Sequence, residues 1–335
     1  MNKKCLGCGA FFQCEDKNKE GYIKKEKIST ALICERCFRI KNYGEYKIIK
    51  KDNKEYKCMF DSIKEKNDLV LYLCDILTID DSILEVNSFD NVILVITKKD
   101  LLPKSVKESK IIKYIDSHYK HNVLKTIFVS SNKNYNLDLL YNLILKYRKS
   151  NNIYVVGNTN AGKSTLINAL IKSYGSNESL ITTSILPNTT LDLIRIKLND
   201  NITLIDTPGI VFNDNYLSYV DEKKIIELSC KSEIKPRTYQ MKPNESLIIG
   251  DYARIDYLSN HNNSFTLYLS NNIKVKRIKI NTNDNLKNLE KKEFNLDDKK
   301  DIVLKNICFC KIVKRAKVNV YTSDKVSVFE RDNLI

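Results

Sequence analysis

Nowhere does the sequence approach the roughly 20 uninterrupted apolar residues that a membrane-spanning helix needs, and its start, Met1 to Cys8, lacks the apolar core of a secretory signal. These absences lead us to expect a cytoplasmic protein with no membrane partner. An acidic excess is also missing: 56 Lys and Arg stand against 41 Asp and Glu, a net charge of +15 over 335 residues. Such a balance points to an anionic partner, because cations that neutralise phosphates release counterions. Lys, Asn and Ile abound along the whole chain, so genome bias competes with a binding surface as the source of that charge. The pattern of a disulfide scaffold is absent too. Ten cysteines are spread over a long chain and four of them form two C-x-x-C pairs, which favours metal in a reducing compartment. The length exceeds one typical domain, so two or three units are expected.

Cys5-Leu6-Gly7-Cys8 and Cys34-Glu35-Arg36-Cys37 are two ligand pairs, each able to turn both thiolates toward one ion. Four thiolates complete a tetrahedral Zn²⁺ shell with no open position, so the site is expected to be structural. Gly7 and Gly9 suit the tight turns that aim backbone N–H groups at sulfur. Residues 1–60 carry fifteen Lys/Arg against eight Asp/Glu, which makes the surroundings of the pairs basic. Cys14 is a spare, and Cys58, Cys74 and Cys230 read as ordinary buried thiols. Cys308 and Cys310 are expected on opposite faces of a strand, with no role.

The segment Gly157-Asn158-Thr159-Asn160-Ala161-Gly162-Lys163-Ser164, followed by Thr165, matches G-x-x-x-x-G-K-[ST]. An apolar strand, Ile153 to Val156, precedes it and a helical pattern from Leu166 follows, the context that a phosphate-binding loop requires. Its backbone N–H groups curl round phosphates, Lys163 reaches the β and γ phosphates, and the Ser164 hydroxyl ligates Mg²⁺. Downstream, Ile202 to Ile205 runs into Asp206-Thr207-Pro208-Gly209. There Asp206 holds Mg²⁺, commonly through water, and the Gly209 N–H senses the γ phosphate. Between them, Leu186-Pro187-Asn188-Thr189-Thr190 reads either as a nucleotide-sensing switch, with Thr190 on Mg²⁺ and Thr189 the second choice, or as a plain polar turn.

Upstream, the buried run Val92 to Ile96 ends in Thr97-Lys98-Lys99-Asp100, which resembles the Asn-Lys-x-Asp motif of GTPases with Thr in place of Asn. An Asp100 carboxylate accepts from both the N1–H and the 2-amino group of guanine, a donor pair that adenine lacks. The Lys98 stem covers the base, while Thr97 removes an amide that usually braces the loop. Ile127-Phe128-Val129-Ser130-Ser131-Asn132 stands where a second loop meets guanine O6, with Ser131 where Ala is usual.

These elements run with the base-reading loops first and the phosphate loops second, the reverse of an ordinary GTPase. The helical segment Leu137 to Arg148 feeds almost directly into the phosphate-loop strand, a short join that the neighbouring termini of a doubly wound sheet permit. With Cys34-Glu35-Arg36-Cys37-Phe38-Arg39 and Gly250-Asp251-Tyr252-Ala253-Arg254-Ile255-Asp256-Tyr257, the chain resembles the YqeH family of circularly permuted bacterial GTPases. The resemblance covers almost the whole chain. It implies an α/β fold in three parts: a treble-clef-like zinc module (1–58), a circularly permuted P-loop GTPase domain (59–235) and a β-rich, RNA-binding domain (236–335). It further implies zinc on Cys5, Cys8, Cys34 and Cys37, GTP/GDP with Mg²⁺ as ligands, and a role in maturing the small ribosomal subunit through ribosomal RNA.

Beyond Pro236 short alternating runs, Ser246 to Gly250, Phe265 to Leu269 and Ile273 to Ile278, read as antiparallel strands, with two more at Ile307 to Val313 and Lys317 to Thr322. Residues 281–301, rich in Asn, Asp and Lys, read as a solvated helix or linker. Tyr252, Arg254, Tyr257, Tyr268, Lys274, Lys276 and Arg277 interleave rings and cations. Two readings stay open for them: a surface that stacks bases, or a sheet core.

Three functions compete: a GTPase timing ribosome assembly, an RNA-binding module that uses nucleotide only as a latch, and a GTPase of tRNA modification. Hydrolysis lacks one customary part, since Ile210 stands where many GTPases carry the glutamine that orients water. Catalytic help is expected from Lys163, Thr190 and a potassium ion held with the aid of Asn160, with slow turnover.

Overall fold

The computed structural model describes residues 3, 5, 11–15, 21–35, 53–158, 160–175, 181–185, 192–207, 216–280 and 289–335. Along the chain come α1 (Asn53–Lys64), β1 (Leu69–Asp75), β2 (Val92–Thr97), α2 (Glu108–His118), β3 (Lys125–Phe128), α3 (Leu137–Tyr147), β4 (Asn152–Gly157) and α4 (Lys163–Tyr174). Next are β5 (Ile181–Ile185), β6 (Asp192–Asn199), β7 (Ile202–Asp206) and α5 (Glu222–Leu228). Then follow β8 (Arg237–Met241), β9 (Glu245–Ile249), β10 (Ala253–Tyr257), β11 (Asn263–Leu269) and β12 (Val275–Lys279). The last strands are β13 (Glu290–Leu296), β14 (Lys300–Leu304), β15 (Cys308–Ile312), β16 (Ala316–Thr322) and β17 (Val328–Asp332). Two compact units result, Met1–Lys99 with Tyr119–Val211, and Asp100–His118 with Phe212–Ile335.

The first unit is built on a seven-stranded sheet of order β3-β2-β1-β4-β7-β6-β5. Strands β3, β2, β1, β4 and β7 are parallel, and β6 and β5 add antiparallel partners. Continuous apolar runs such as Leu69 to Cys74 and Val92 to Ile96 suit strands covered on both faces, and both runs are buried throughout. Leu71, Leu73, Val95 and Val155 share one core with Leu140 and Ile144 of α3 and Leu166 and Leu170 of α4. Tyr141 of α3 stacks on Tyr174 of α4 with centroids 4.0 Å apart. Because the central strands are parallel, their carboxyl ends share one sheet edge, where α/β proteins place ligands.

The second unit holds two five-stranded antiparallel sheets, β12-β9-β10-β16-β13 and β17-β14-β15-β11-β8. Leu247, Ile249 and Ile255 of the first share a core with Phe265, Leu267, Ile302 and Ile312 of the second, so the sheets bury their inner faces against each other. Several sequence expectations change here. Residues 290–296 form strand β13 rather than a helix or linker, while 281–288 lie outside the described residues. Cys308 and Cys310 share a face, as a spacing of two on a strand requires, and both join the core. Burial pushes the Cys308 thiol up to about 12. Cys58 is exposed and Cys230 half-buried, while Cys74 is buried as expected. Tyr252, Tyr257 and Tyr268 are interior, and Tyr268 stacks on Phe309 at 4.5 Å. Arg254 pairs with Asp256 at 2.6 Å, with side-chain exposures of 13% and 5%. Of the seven interleaved residues only Lys274, Lys276 and Arg277 are exposed, so no ring of that set offers a stacking surface.

Candidate functional site

Strand β4 ends at Gly157 with φ +150°, where an added Cβ would lie 2.4 Å from the Leu73 carbonyl oxygen of β1. No side chain fits that approach. At the other end of the loop Gly162, at φ +89°, precedes α4 in left-handed backbone. Between them Asn160 is exposed and left-handed (φ +65°), and Ala161 is buried and donates its N–H to the Asn158 carbonyl at 3.1 Å. The first N–H groups of a helix have no partner within it, so those of Lys163, Ser164 and Thr165 are available to an anion.

Lys163 is only 9% exposed. Its ammonium donates to the Gly157 carbonyl at 2.8 Å and to that of Asn158 at 3.2 Å, folding back over the loop. Burial lowers its pKa to about 8, and the Asp206 carboxylate at the end of β7 works in the opposite direction. A buried ammonium hydrogen-bonded, among the described residues, to carbonyls is a group prepared to exchange those weak acceptors for phosphate oxygens. Asp206 is buried at the sheet edge and Ser164 half-buried on the first turn of α4, both hard oxygen donors that suit Mg²⁺. Next to Asp206, Thr207 turns its hydroxyl back to the Val155 carbonyl at 2.9 Å, which ties the exit of β7 to β4.

The Thr97-Lys98-Lys99-Asp100 loop is tied to the phosphate loop by a bond that composition could not show. Thr97, buried at the end of β2, donates its hydroxyl to the Ala161 carbonyl at 2.7 Å, with the Cys74 carbonyl farther off at 3.3 Å. The bracing expected to be missing without the usual amide is therefore supplied by the hydroxyl. Lys98 takes left-handed backbone (φ +59°) and its ammonium meets Asp75 at 2.7 Å. The Lys99 N–H bonds the Val129 carbonyl at 3.1 Å, joining this loop to the one that carries Ser130 and Ser131. Ser130 is buried and accepts from the Lys133 N–H at 3.2 Å, while Ser131 opens a short helical turn. Asp100 lies in the turn Lys99–Leu101 and is the first residue of the second compact unit.

Two residues escaped sequence reasoning. Asp75 closes β1 and anchors Lys98, and its other oxygen accepts the Leu77 N–H at 3.0 Å. Ser82 accepts from the Asn158 amide at 3.0 Å and donates to Asp80 at 2.5 Å, so the phosphate loop is held from the side. The remaining oxygen of Asn158 is buried and has no hydrogen-bond partner among the described residues. A carboxylate at the carboxyl end of a parallel strand was the one available signal, and it pointed to Asp75.

Thr159, the segment with Thr189 and Thr190, and Gly209 lie outside the described residues, as do Cys8 and Cys37. Cys5 and Cys34 are described, buried together beside Phe12 and Ile33, and the Cys34 N–H donates to the Cys5 sulfur at 3.1 Å. Among the described residues no cluster of three or more His, Cys, Asp or Glu is placed to hold a metal, and no helix is long and apolar enough to cross a membrane.

A family profile described as 50S ribosome-binding GTPase matches residues 152–252, which include the phosphate loop and Asp206. The chain is 34% identical to YqeH of Bacillus subtilis across 99% of both proteins. It is 27% identical to the chloroplastic GTP-binding protein Brassinazole Insensitive Pale Green 2 of Arabidopsis thaliana, over 70% of this chain and 41% of that one. Identity to the NO-associated protein 1 of the same plant is 26%, over 71% of this chain and 48% of the relative. End-to-end similarity, and a phosphate loop with its buried lysine locked to the neighbouring Thr97 loop, agree on one conclusion: this chain belongs to the YqeH family of GTPases.

Proposed function

We propose that the protein is a circularly permuted GTPase that binds the small ribosomal subunit or its precursor in the GTP state and leaves after hydrolysis. The observation that carries the nucleotide half is Lys163, buried and hydrogen-bonded, among the described residues, to loop carbonyls within a loop braced through Thr97 and Asn158. Asp100 reads guanine, Ser164, Asp206 and Thr190 hold Mg²⁺, and Asn160 helps retain a potassium ion that takes the part of the missing glutamine. Turnover faster in K⁺ than in Na⁺, and blunted by Asn160→Ala, is the expected behaviour; equal rates in both salts would remove the ion. Zinc on Cys5, Cys8, Cys34 and Cys37 completes the N-terminal module (1–58), a reading supported by the N–H aimed at the Cys5 sulfur, as thiolate sites favour. Metal analysis should find about one zinc per chain, lost in Cys34→Ser.

The RNA half rests on the net charge of +15 and on the exposed Lys274, Lys276 and Arg277 of the C-terminal domain (236–335). The matching profile names the large subunit in its description, so the choice of particle is the point to test. Sedimentation with separated subunits should show the protein with the small one, more tightly with a GTP analogue than with GDP. A coupling of about 1–3 kcal/mol corresponds to roughly 5- to 150-fold. Preference for the large subunit, or indifference to nucleotide, would overturn the assembly role and leave the GTPase.

A further inference from the structure

The second unit contains a cavity of about 390 Å³ at the start of α2, lined by none of the C-terminal sheet residues named above. Val106 and Ile335 give it an apolar wall, and Lys107, Lys110 and Lys113 stand around it with the hydroxyl residues Ser105 and Ser109. Lys107 immediately precedes α2, and Lys110 and Lys113, three residues apart, are neighbours on its first turns. All three are exposed, and among the described residues no Asp or Glu side chain lines the cavity. A fourth lysine is near: burial and the Lys110 ammonium hold the Lys311 amine of β15 below its ordinary pKa, against the pull of Asp301. Four lysines stand here against Asp301 and the Glu108 of the first turn of α2, and a polyanion relieves the repulsion among the excess cations. The amino end of α2, eleven residues long, adds its own positive potential at the same place.

We propose that this cleft binds single-stranded RNA, with phosphates on Lys107, Lys110, Lys113 and Lys311 and a base against Val106 and Ile335. Exposed lysines around an apolar wall fit a nucleotide unit, since its phosphate needs cations and its base needs a surface to cover. The cleft stands on the segment that begins with Asp100, so its occupant touches the same compact unit as the base-reading carboxylate. The inference rests on the reading of the protein as an RNA binder and adds a second contact to it.

The test is anisotropy titration of a fluorescein-labelled oligouridylate with the full chain, over a series of KCl concentrations. The triple variant Lys107→Gln, Lys110→Gln, Lys113→Gln is compared with Lys274→Gln, Lys276→Gln, Arg277→Gln and with the parent. All six positions are exposed, and unchanged GTP binding reports an intact fold. The cleft variant should bind RNA on the order of tenfold or more weakly at low salt, and its salt slope should be shallower by about 2, three lost contacts at about 0.7 each. Affinity and slope equal to the parent, while the sheet variant loses both, would overturn the cleft and leave the RNA reading standing. No RNA binding by the parent would overturn both. Pyrophosphate bound by the parent but not by the cleft variant, without any change in RNA affinity, would assign the cleft to a free phosphate and overturn RNA as its occupant.

Discussion

Two cations, a half-buried arginine in one compact unit and a buried lysine in the other, face opposite fates. Arg254 of the C-terminal sandwich meets the carboxylate of Asp256 at 2.6 Å, and Ser246 donates to the same oxygen at 2.6 Å, which closes a neutral, fully hydrogen-bonded group in the sheet. Lys163 of the nucleotide unit is more deeply buried but is held by two carbonyl oxygens. A cation matched to a carboxylate is spent on structure, because removing either partner strands a charge. A cation left on carbonyls keeps most of its interaction energy for a ligand. The contrast separates structural from functional charge within one chain.

Substitution tests the contrast most strongly. Arg254→Met should lower the unfolding free energy by about 3–5 kcal/mol in denaturant titration, with the GTP dissociation constant unchanged. Lys163→Met should do the reverse, costing on the order of 100-fold in GTP affinity, as lost charged hydrogen bonds of about 1.5–3 kcal/mol imply, with no loss of stability. Equal stability losses in the two variants would break the comparison.

A pH series gives the next largest effect. The folded pKa of Lys163, about 8, lies below its ordinary 10.5, so between these values the unfolded chain binds more protons at this position than the folded one. Its contribution to the stability of the nucleotide-free protein therefore rises with pH across that window. GTP affinity should fall across the same window, approaching about tenfold per pH unit, because phosphate binding requires the ammonium. Calorimetry and nucleotide titration from neutral to alkaline pH should show these opposite trends, and parallel trends would exclude Lys163 as the group responsible.

A smaller effect concerns the bond between the loops. Thr97→Val leaves the buried Ala161 carbonyl without its donor and should cost about 1–3 kcal/mol, read as lower thermal stability and weaker GTP binding. Thr97→Asn restores a donor and should behave nearly as the parent. Unchanged behaviour in Thr97→Val would show that the 2.7 Å bond does not brace the loop.

The phosphate loop was legible because its residues act through consecutive backbone, so spacing alone carries the chemistry. The parallel strands were legible as unbroken apolar runs. Asp75 and Ser82 were not, since each acts on a partner far along the chain, 23 and 76 residues away. In the sandwich, alternation announced strands without saying which face was inside, and Tyr252 and Tyr257 proved to be core. Strand β13, Glu-Lys-Lys-Glu-Phe-Asn-Leu, was hidden because it lies at a sheet edge, where charged residues are favoured and a solvated segment has the same composition.

The central claim, a guanine nucleotide read by Asp100 and held by the loop around Lys163, is tested most directly by nucleotide titration of the parent and of Asp100→Asn. The parent should bind GTP well ahead of ATP and xanthosine triphosphate, and the variant should weaken GTP and gain xanthosine triphosphate, whose ring presents an acceptor where guanine presents its amino group. An Asp100→Asn protein that still binds GTP as the parent does would contradict the account.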